Sequence, residues 1–220
     1  MNIYNKNLDY LCDQKGISIT EFEQIIYIPK VRIMEPTPDE LVRISDYFNL
    51  PIDVLLRKDL KLVNRTDANK IKLVILDVDG TMTDGGMYFT ENGDQMKKYN
   101  TKDGMAIKRM VKDGMHFGII SHGHKQKVVE DRANLLDIKH IYVGQEKKTE
   151  VLARWCVDLN IEPAEVAFVG DDVNDIAIME TVGVSACPAD AVRAVKLISK
   201  IVLSKNGGAG CVREFLDEWL

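Results

Sequence analysis

A chain of 220 residues, 45% hydrophobic and 29% charged, is long enough to bury one sizeable core or one core with a small appendage, and too apolar for a disordered tail. Its formal charge of -5 excludes a broad electrostatic attraction to nucleic acid or to an anionic membrane, so any anion site has to be local. Cys12, Cys156, Cys187 and Cys211 have neither metal-site nor disulfide-scaffold spacing, no run approaches the roughly 20 apolar residues of a membrane span, and Met1–Lys6 begins no leader; these features predict free thiols and a cytoplasmic protein with no membrane partner.

From Leu8 to about Leu60, apolar residues recur at helical spacing in short blocks broken by Gly16, Pro29, Pro36, Pro38 and Pro51, which predicts four or five short helices in a domain over 1–63. Thr37 is placed as N-cap, with Pro38 at the first helical position and Asp39 and Glu40 in the first turn. The opening Leu8-Asp9-Tyr10-Leu11-Cys12-Asp13-Gln14-Lys15-Gly16-Ile17-Ser18 and the close over Glu40–Leu55 resemble Cro-like helix-turn-helix domains. The recognition-helix stretch, near Ile28–Met34, is however short and contains Pro29, and through Arg65 there are 9 Lys/Arg against 10 Asp/Glu. With no basic face, a degenerate module for packing or assembly is expected, and no nucleic-acid partner.

A polar linker is expected over 64–70, followed by a second domain over 71–220. There, apolar runs Leu73–Val78, His116–Ser121, His140–Val143, Val166–Gly170 and Gly183–Cys187 alternate with amphipathic stretches Gly104–Lys112, Lys125–Leu136, Lys148–Leu159, Asn174–Thr181 and Ala191–Ile198. Alternation of this kind predicts α/β architecture, a parallel sheet with helices on both faces and ligands beyond the carboxyl ends of the strands. Met87–Thr90 and Gln95–Tyr99, joined by Glu91-Asn92-Gly93-Asp94, read as a β-hairpin.

Polar residues gather at the predicted strand ends. Asp77-Val78-Asp79-Gly80-Thr81 closes the first strand; if the chain stays extended, both carboxylates point the same way, and a hard cation such as Mg²⁺ relieves their repulsion. Ser121 ends the second strand, Lys148 opens a helix, and Gly170-Asp171-Asp172-Val173-Asn174-Asp175 closes a later strand. Singly, each has a plainer role: Ser121 as a loop hydroxyl, Lys148 in a solvated charge run, Asp172 as an N-cap. Together they supply a nucleophile, a metal site and a cationic phosphate clamp.

In this order the motifs resemble those of the haloacid dehalogenase-like phosphatases, over about 70% of the chain (66–220). The resemblance implies a Rossmann-like sheet, Asp77 as nucleophile and Asp79 as acid and base. It gives Ser121 and Lys148 the phosphoryl group, and Mg²⁺ the Asp77 carboxylate, the Asp79 carbonyl and the Asp171 carboxylate, with Asp172 and Asp175 in support.

Within that superfamily, Asp79–Gly85, Tyr99–Ile107, Val129–Ala133 and Gly207–Glu214 resemble the 3-deoxy-D-manno-octulosonate 8-phosphate phosphatases, of which nonulosonate 9-phosphate phosphatases are close relatives. That implies an acidic sugar phosphate as substrate, no large cap domain, and a homotetramer with the hairpin and the glycine-rich tail near subunit contacts; the tail reads equally as a flexible end with a short helix. Gly80, Lys102, His122 and Gly123 are the expected substrate-binding residues. At the second motif, Ser121-His122-Gly123-His124 stands where the subfamily usually has Thr-Gly-Arg, which puts selection of the acidic sugar in question. A rival reading is a DNA-binding regulator with a phosphosugar-sensing domain.

Overall fold

The computed structural model describes residues 2–57, 59–60, 70–123 and 126–220. Nearly all of the expected linker over 64–70, along with His124 and Lys125, lies outside them. The chain divides into two compact units, Met1–Thr66 and Asp67–Leu220.

In the first unit, helices α1 (Ile3–Gln14), α2 (Ile19–Ile26), α3 (Lys30–Met34), α4 (Pro38–Phe48) and α5 (Ile52–Arg57) enclose Leu8, Phe22, Ile33, Ile44 and Leu55, all fully buried. Caps set the helix starts. Glu40 accepts from the Thr37 N–H at 2.9 Å and from its hydroxyl at 2.8 Å, the expected capping arrangement. Ser18 and Glu21 repeat it at α2, with the Ser18 N–H 2.7 Å from Glu21 Oε2 and the Glu21 N–H 3.1 Å from Ser18 Oγ. Pro29 stands just before the five-residue α3, where its missing N–H costs no helical bond.

The second unit is built on a six-stranded parallel sheet in the order β5-β4-β1-β6-β7-β8, with β1 Leu73–Leu76, β4 His116–Ser121, β5 His140–Val143, β6 Val166–Val169, β7 Val184–Cys187 and β8 Ile201–Val202. Helices α6 (Thr101–Lys112), α7 (Gln126–Leu135), α8 (Lys148–Leu159), α9 (Ile176–Thr181), α10 (Arg193–Ile198) and α11 (Cys211–Glu218) complete it, and a separate hairpin pairs β2 (Tyr88–Phe89) with β3 (Gln95–Met96). Along β1, Val74 and Leu76 enter one core with Ala106, Val129 and Phe215, while Leu73 and Ile75 enter another with Val151, Leu152 and Ile178. Both faces are therefore buried, and the strands read as unbroken apolar runs. No helix among the described residues is long and apolar enough to cross a membrane.

Two expectations are corrected. Strand β1 stops at Leu76, and Val78–Met82 winds into a tight turn with Gly80 at φ 88°, so the chain does not stay extended through Asp79. The glycine-rich tail is no free end: the Gly208 N–H donates to the Thr81 carbonyl at 3.0 Å, Cys211 Sγ to the same oxygen at 3.3 Å, and Asn100 Nδ2 to the Gly208 carbonyl at 3.0 Å. A Cβ at Gly207 would lie 1.8 Å from the Gly80 carbonyl oxygen, so only glycine allows this approach.

Candidate active site

Strand β1 has β4 on one side and β6 on the other. The chain runs outward from β1 through β4 to β5, then returns to β6 and runs outward the other way. That reversal opens a crevice at the carboxyl end of β1. Asp77 stands at its floor, 6% exposed, its N–H donating to the Val169 carbonyl at 2.9 Å. Lys148, the first residue of α8, reaches in with its side chain 1% exposed and donates to Asp77 Oδ1 at 2.6 Å and to Asp175 Oδ1 at 2.5 Å. Asp175 Oδ2 accepts the Asp171 N–H at 3.0 Å, which closes the loop after β6 around it.

Asp77, Asp171 and Asp175 each present a carboxylate oxygen within 4.8 Å of the others. Burial raises the Asp77 pKa; Lys148 opposes that rise and Asp175 adds to it. Burial and then the Asp77 and Asp175 charges push Asp171 up to about 7, although the Thr81 hydroxyl donates to it at 3.1 Å. Burial works against the Lys148 charge, but Asp77 and Asp175 overcome it and hold its pKa above the ordinary value. Three carboxylates against one ammonium leave two negative charges in excess, which a single divalent cation would cancel. Oxygen donors of this kind suit a hard ion such as Mg²⁺.

The remaining predicted residues fall at varied distances from this cluster. Ser121 is buried at the end of β4, and its Oγ accepts the Gly123 N–H at 3.1 Å. Gly80 admits Asp171 beside it: a Cβ there would lie 2.1 Å from Asp171 Oδ2. Asp79 pairs with Lys97 of the hairpin. His122 is held between two loops, Nε2 donating to the Glu146 carbonyl at 3.0 Å and Nδ1 accepting from Asn174 Nδ2 at 3.3 Å. Asp172 lies outside the carboxylate cluster and accepts its neighbour Val173's N–H at 2.7 Å, as its N-cap reading expects. Lys102 is exposed in the first turn of α6.

Two residues enter that the sequence did not single out. Thr81 lies inside the first motif, where its hydroxyl type was the available signal; Lys97 was visible only as a hairpin residue.

A family model of haloacid dehalogenase-like hydrolases matches residues 121–216. The 3-deoxy-D-manno-octulosonate 8-phosphate phosphatase of Salmonella typhi is 41% identical over 152 residues, 69% of this chain and 80% of that protein; the Yersinia pestis enzyme of the same name is 38% identical over 150 residues, 68% and 80% of the two. A crystal structure of the Yersinia pestis phosphatase superposes with a TM-score of 0.68 at 36% identity, over 71% of this chain and 83% of that one. A Moraxella catarrhalis phosphatase, crystallised with magnesium, phosphate and KDO, gives 0.68 at 29% identity, over 71% and 88%. With this crevice, these motifs and these relatives, the chain belongs to the haloacid dehalogenase-like hydrolase family, beside the 3-deoxy-D-manno-octulosonate 8-phosphate phosphatases.

Proposed function

We propose that this protein is a Mg²⁺-dependent phosphomonoesterase that hydrolyses 3-deoxy-D-manno-octulosonate 8-phosphate through an aspartyl-phosphate at Asp77. The observation that carries the reading is the buried Asp77–Lys148–Asp175 chain with Asp171 beside it, on a scaffold shared with phosphatases of that substrate.

The Asp77 and Asp171 carboxylates and the Asp79 backbone carbonyl would hold the cation. When bound, it supplies charge neutralisation for a dianionic phosphoryl group approaching a carboxylate. Asp77 attacks phosphorus as the bond to the sugar oxygen breaks, and Asp79 gives that oxygen its proton. Asp79 then takes a proton from water, which attacks the phosphoryl group and frees Asp77. Lys148 steadies one oxygen of Asp77 and the charge of the transferring group, and the Ser121 hydroxyl and the Gly123 turn receive the phosphoryl oxygens. Asp175 fixes Lys148, and Asp172 braces the loop. Gly80 makes room for Asp171, and Lys102 and His122 border the sugar side.

The assay is phosphate release with Mg²⁺ from octulosonate 8-phosphate, nonulosonate 9-phosphate and hexose 6-phosphates. The octulosonate ester should lead, and Asp77→Asn should bind it yet release phosphate only at background. No preference for acidic sugars would overturn the substrate, and a tenth of wild-type activity in Asp77→Asn would overturn the nucleophile.

The exposed apolar strip of the hairpin, with Met87 at 64%, Phe89 at 58% and Met96 at 57% exposure, supports a homotetramer, which sedimentation would measure. Residues 1–63 are read as an all-α domain resembling a degenerate helix-turn-helix, the brevity of α3 favouring packing or assembly over DNA; a salt-dependent gel-shift tests that, tight duplex binding overturning it. The four cysteines are free and buried, as suits a reducing cytoplasm.

A further inference from the structure

Lys97 follows β3 on the hairpin. Its side chain is 3% exposed, yet it pairs with Asp79, whose side chain is 40% exposed. The ammonium meets Asp79 Oδ1. The other oxygen faces the second-motif turn, where a Cβ at Gly123 would lie 3.8 Å from Asp79 Oδ2 and 3.2 Å from Ser121 Oγ. Tyr99, two residues further along, is near enough that the Asp79 charge adds to burial in raising the pKa of its hydroxyl. One carboxylate oxygen is thus tied to the hairpin and the other lies near Gly123, in the turn that follows Ser121.

A long, flexible lysine that is almost wholly withdrawn from water gives up rotamer freedom and part of its hydration. An exposed surface pair needs neither sacrifice and contributes little. The arrangement makes sense if the orientation of Asp79 matters. We propose that Lys97 is a positioning residue for Asp79: by occupying Oδ1, it confines the proton that Asp79 gives and takes to Oδ2, the oxygen on the side of the Gly123 turn. This rests on the acid–base reading of Asp79. Proton balance is unchanged: one proton passes from Asp79 to the leaving sugar oxygen, one returns from the attacking water, and Lys97 keeps its own.

The test compares Lys97→Met, Lys97→Gln, Lys97→Arg and Asp79→Asn in the full chain, with Mg²⁺, on two substrates. One is the alkyl phosphate of the sugar, whose oxygen must be protonated to leave. The other is p-nitrophenyl phosphate, whose leaving group departs unprotonated; here the single-turnover release of nitrophenol is followed.

Asp79→Asn should lower sugar-phosphate kcat by about 10²-fold or more and spare the nitrophenol burst. Lys97→Met and Lys97→Gln should show the same asymmetry at about tenfold, with KM within about threefold, and Lys97→Arg should regain part of kcat. A rise in KM with kcat retained would make Lys97 a substrate ligand and overturn the proposal, as would an equal loss on both substrates. Asymmetry in Asp79→Asn but not in the lysine variants removes the positioning role alone. Its absence in Asp79→Asn removes the acid–base reading itself.

Discussion

Lys148→Met keeps the apolar stem and deletes the ammonium between two carboxylates. In the native protein that group sits 2.6 Å from Asp77 Oδ1 and 2.5 Å from Asp175 Oδ1, and the three side chains are only 1%, 9% and 0% exposed. Removing one partner of a buried ion pair costs about 3–5 kcal/mol, because the charge left behind is neither solvated nor paired. Here two carboxylates are left facing each other, with Asp171 close by. Urea denaturation at neutral pH without divalent cations should therefore show a loss in that range. Adding Asp175→Asn removes one charge of the opposite sign and keeps an amide oxygen for the Asp171 N–H, so the double variant should recover at least about 2 kcal/mol. Neither variant should work: phosphate release should fall by about 10³-fold or more, since the cation proposed to face the phosphoryl group is gone in both. Recovered stability without recovered activity is the signature. If Lys148→Met unfolds within about 1 kcal/mol of wild type, or the two substitutions simply add, the ammonium is not what holds these charges together.

Gly80→Ala places a Cβ 2.1 Å from Asp171 Oδ2 at a backbone φ of 88°. The left-handed conformation costs about 1–2 kcal/mol, and Asp171 must move; a Mg²⁺ titration of activity should shift to higher concentration, and an unchanged midpoint refutes the link. Burial lifts the Asp103 carboxyl from 3.8 to about 6, against the Arg213 N–H and the Arg132, Lys205 and Arg213 charges that pull it down. The folded state therefore holds that proton more tightly than the unfolded chain does, so the stability it contributes is complete below about pH 3.8 and is lost as pH rises through about 6, roughly 3 kcal/mol in all. Asp103→Asn should abolish that slope: wild-type stability relative to the variant should drop by about 3 kcal/mol between roughly pH 4 and pH 7, and a flat difference refutes it.

The sheet and the crevice floor were legible because their signals are local. An unbroken apolar run such as Leu73–Leu76 means a strand covered on both faces, and a polar residue directly after such a run means a strand end. Asp77, Ser121 and Asp171 could be found in that way, Lys148 was marked as the start of a helix, and Lys148–Leu159 was placed to the residue. What escaped depends on partners far along the chain. Parity spoke only for an extended chain, whereas Val78–Met82 forms a turn, with Asp77 paired to Lys148 and Asp79 to Lys97. That turn is held from the other end of the chain, where the Gly208 N–H and Cys211 Sγ converge on the Thr81 carbonyl. Glycines in a tail read as freedom in sequence, whereas here they permit close packing. β8 escaped for another reason: its two residues are too short for periodicity to show.

The departure at the second motif takes its meaning from these same contacts. A protonated His122 would supply the cation that the missing arginine leaves out, but its Nδ1 accepts from Asn174 and its Nε2 donates to the Glu146 carbonyl. Both ring nitrogens thus already have partners within the protein. His122 thereby ties together the loops that carry Lys148 and Asp175. Gln145 reinforces the tie by donating to the His122 carbonyl at 3.0 Å. Under the proposed function, Ser121 and Lys148 keep their places at the phosphoryl group despite the change, and recognition of an acidic sugar would rest on cations outside this motif. Substituting His122 thus addresses the rigidity of the crevice wall, and a search for the specificity determinant belongs on the side of the hairpin and Lys102.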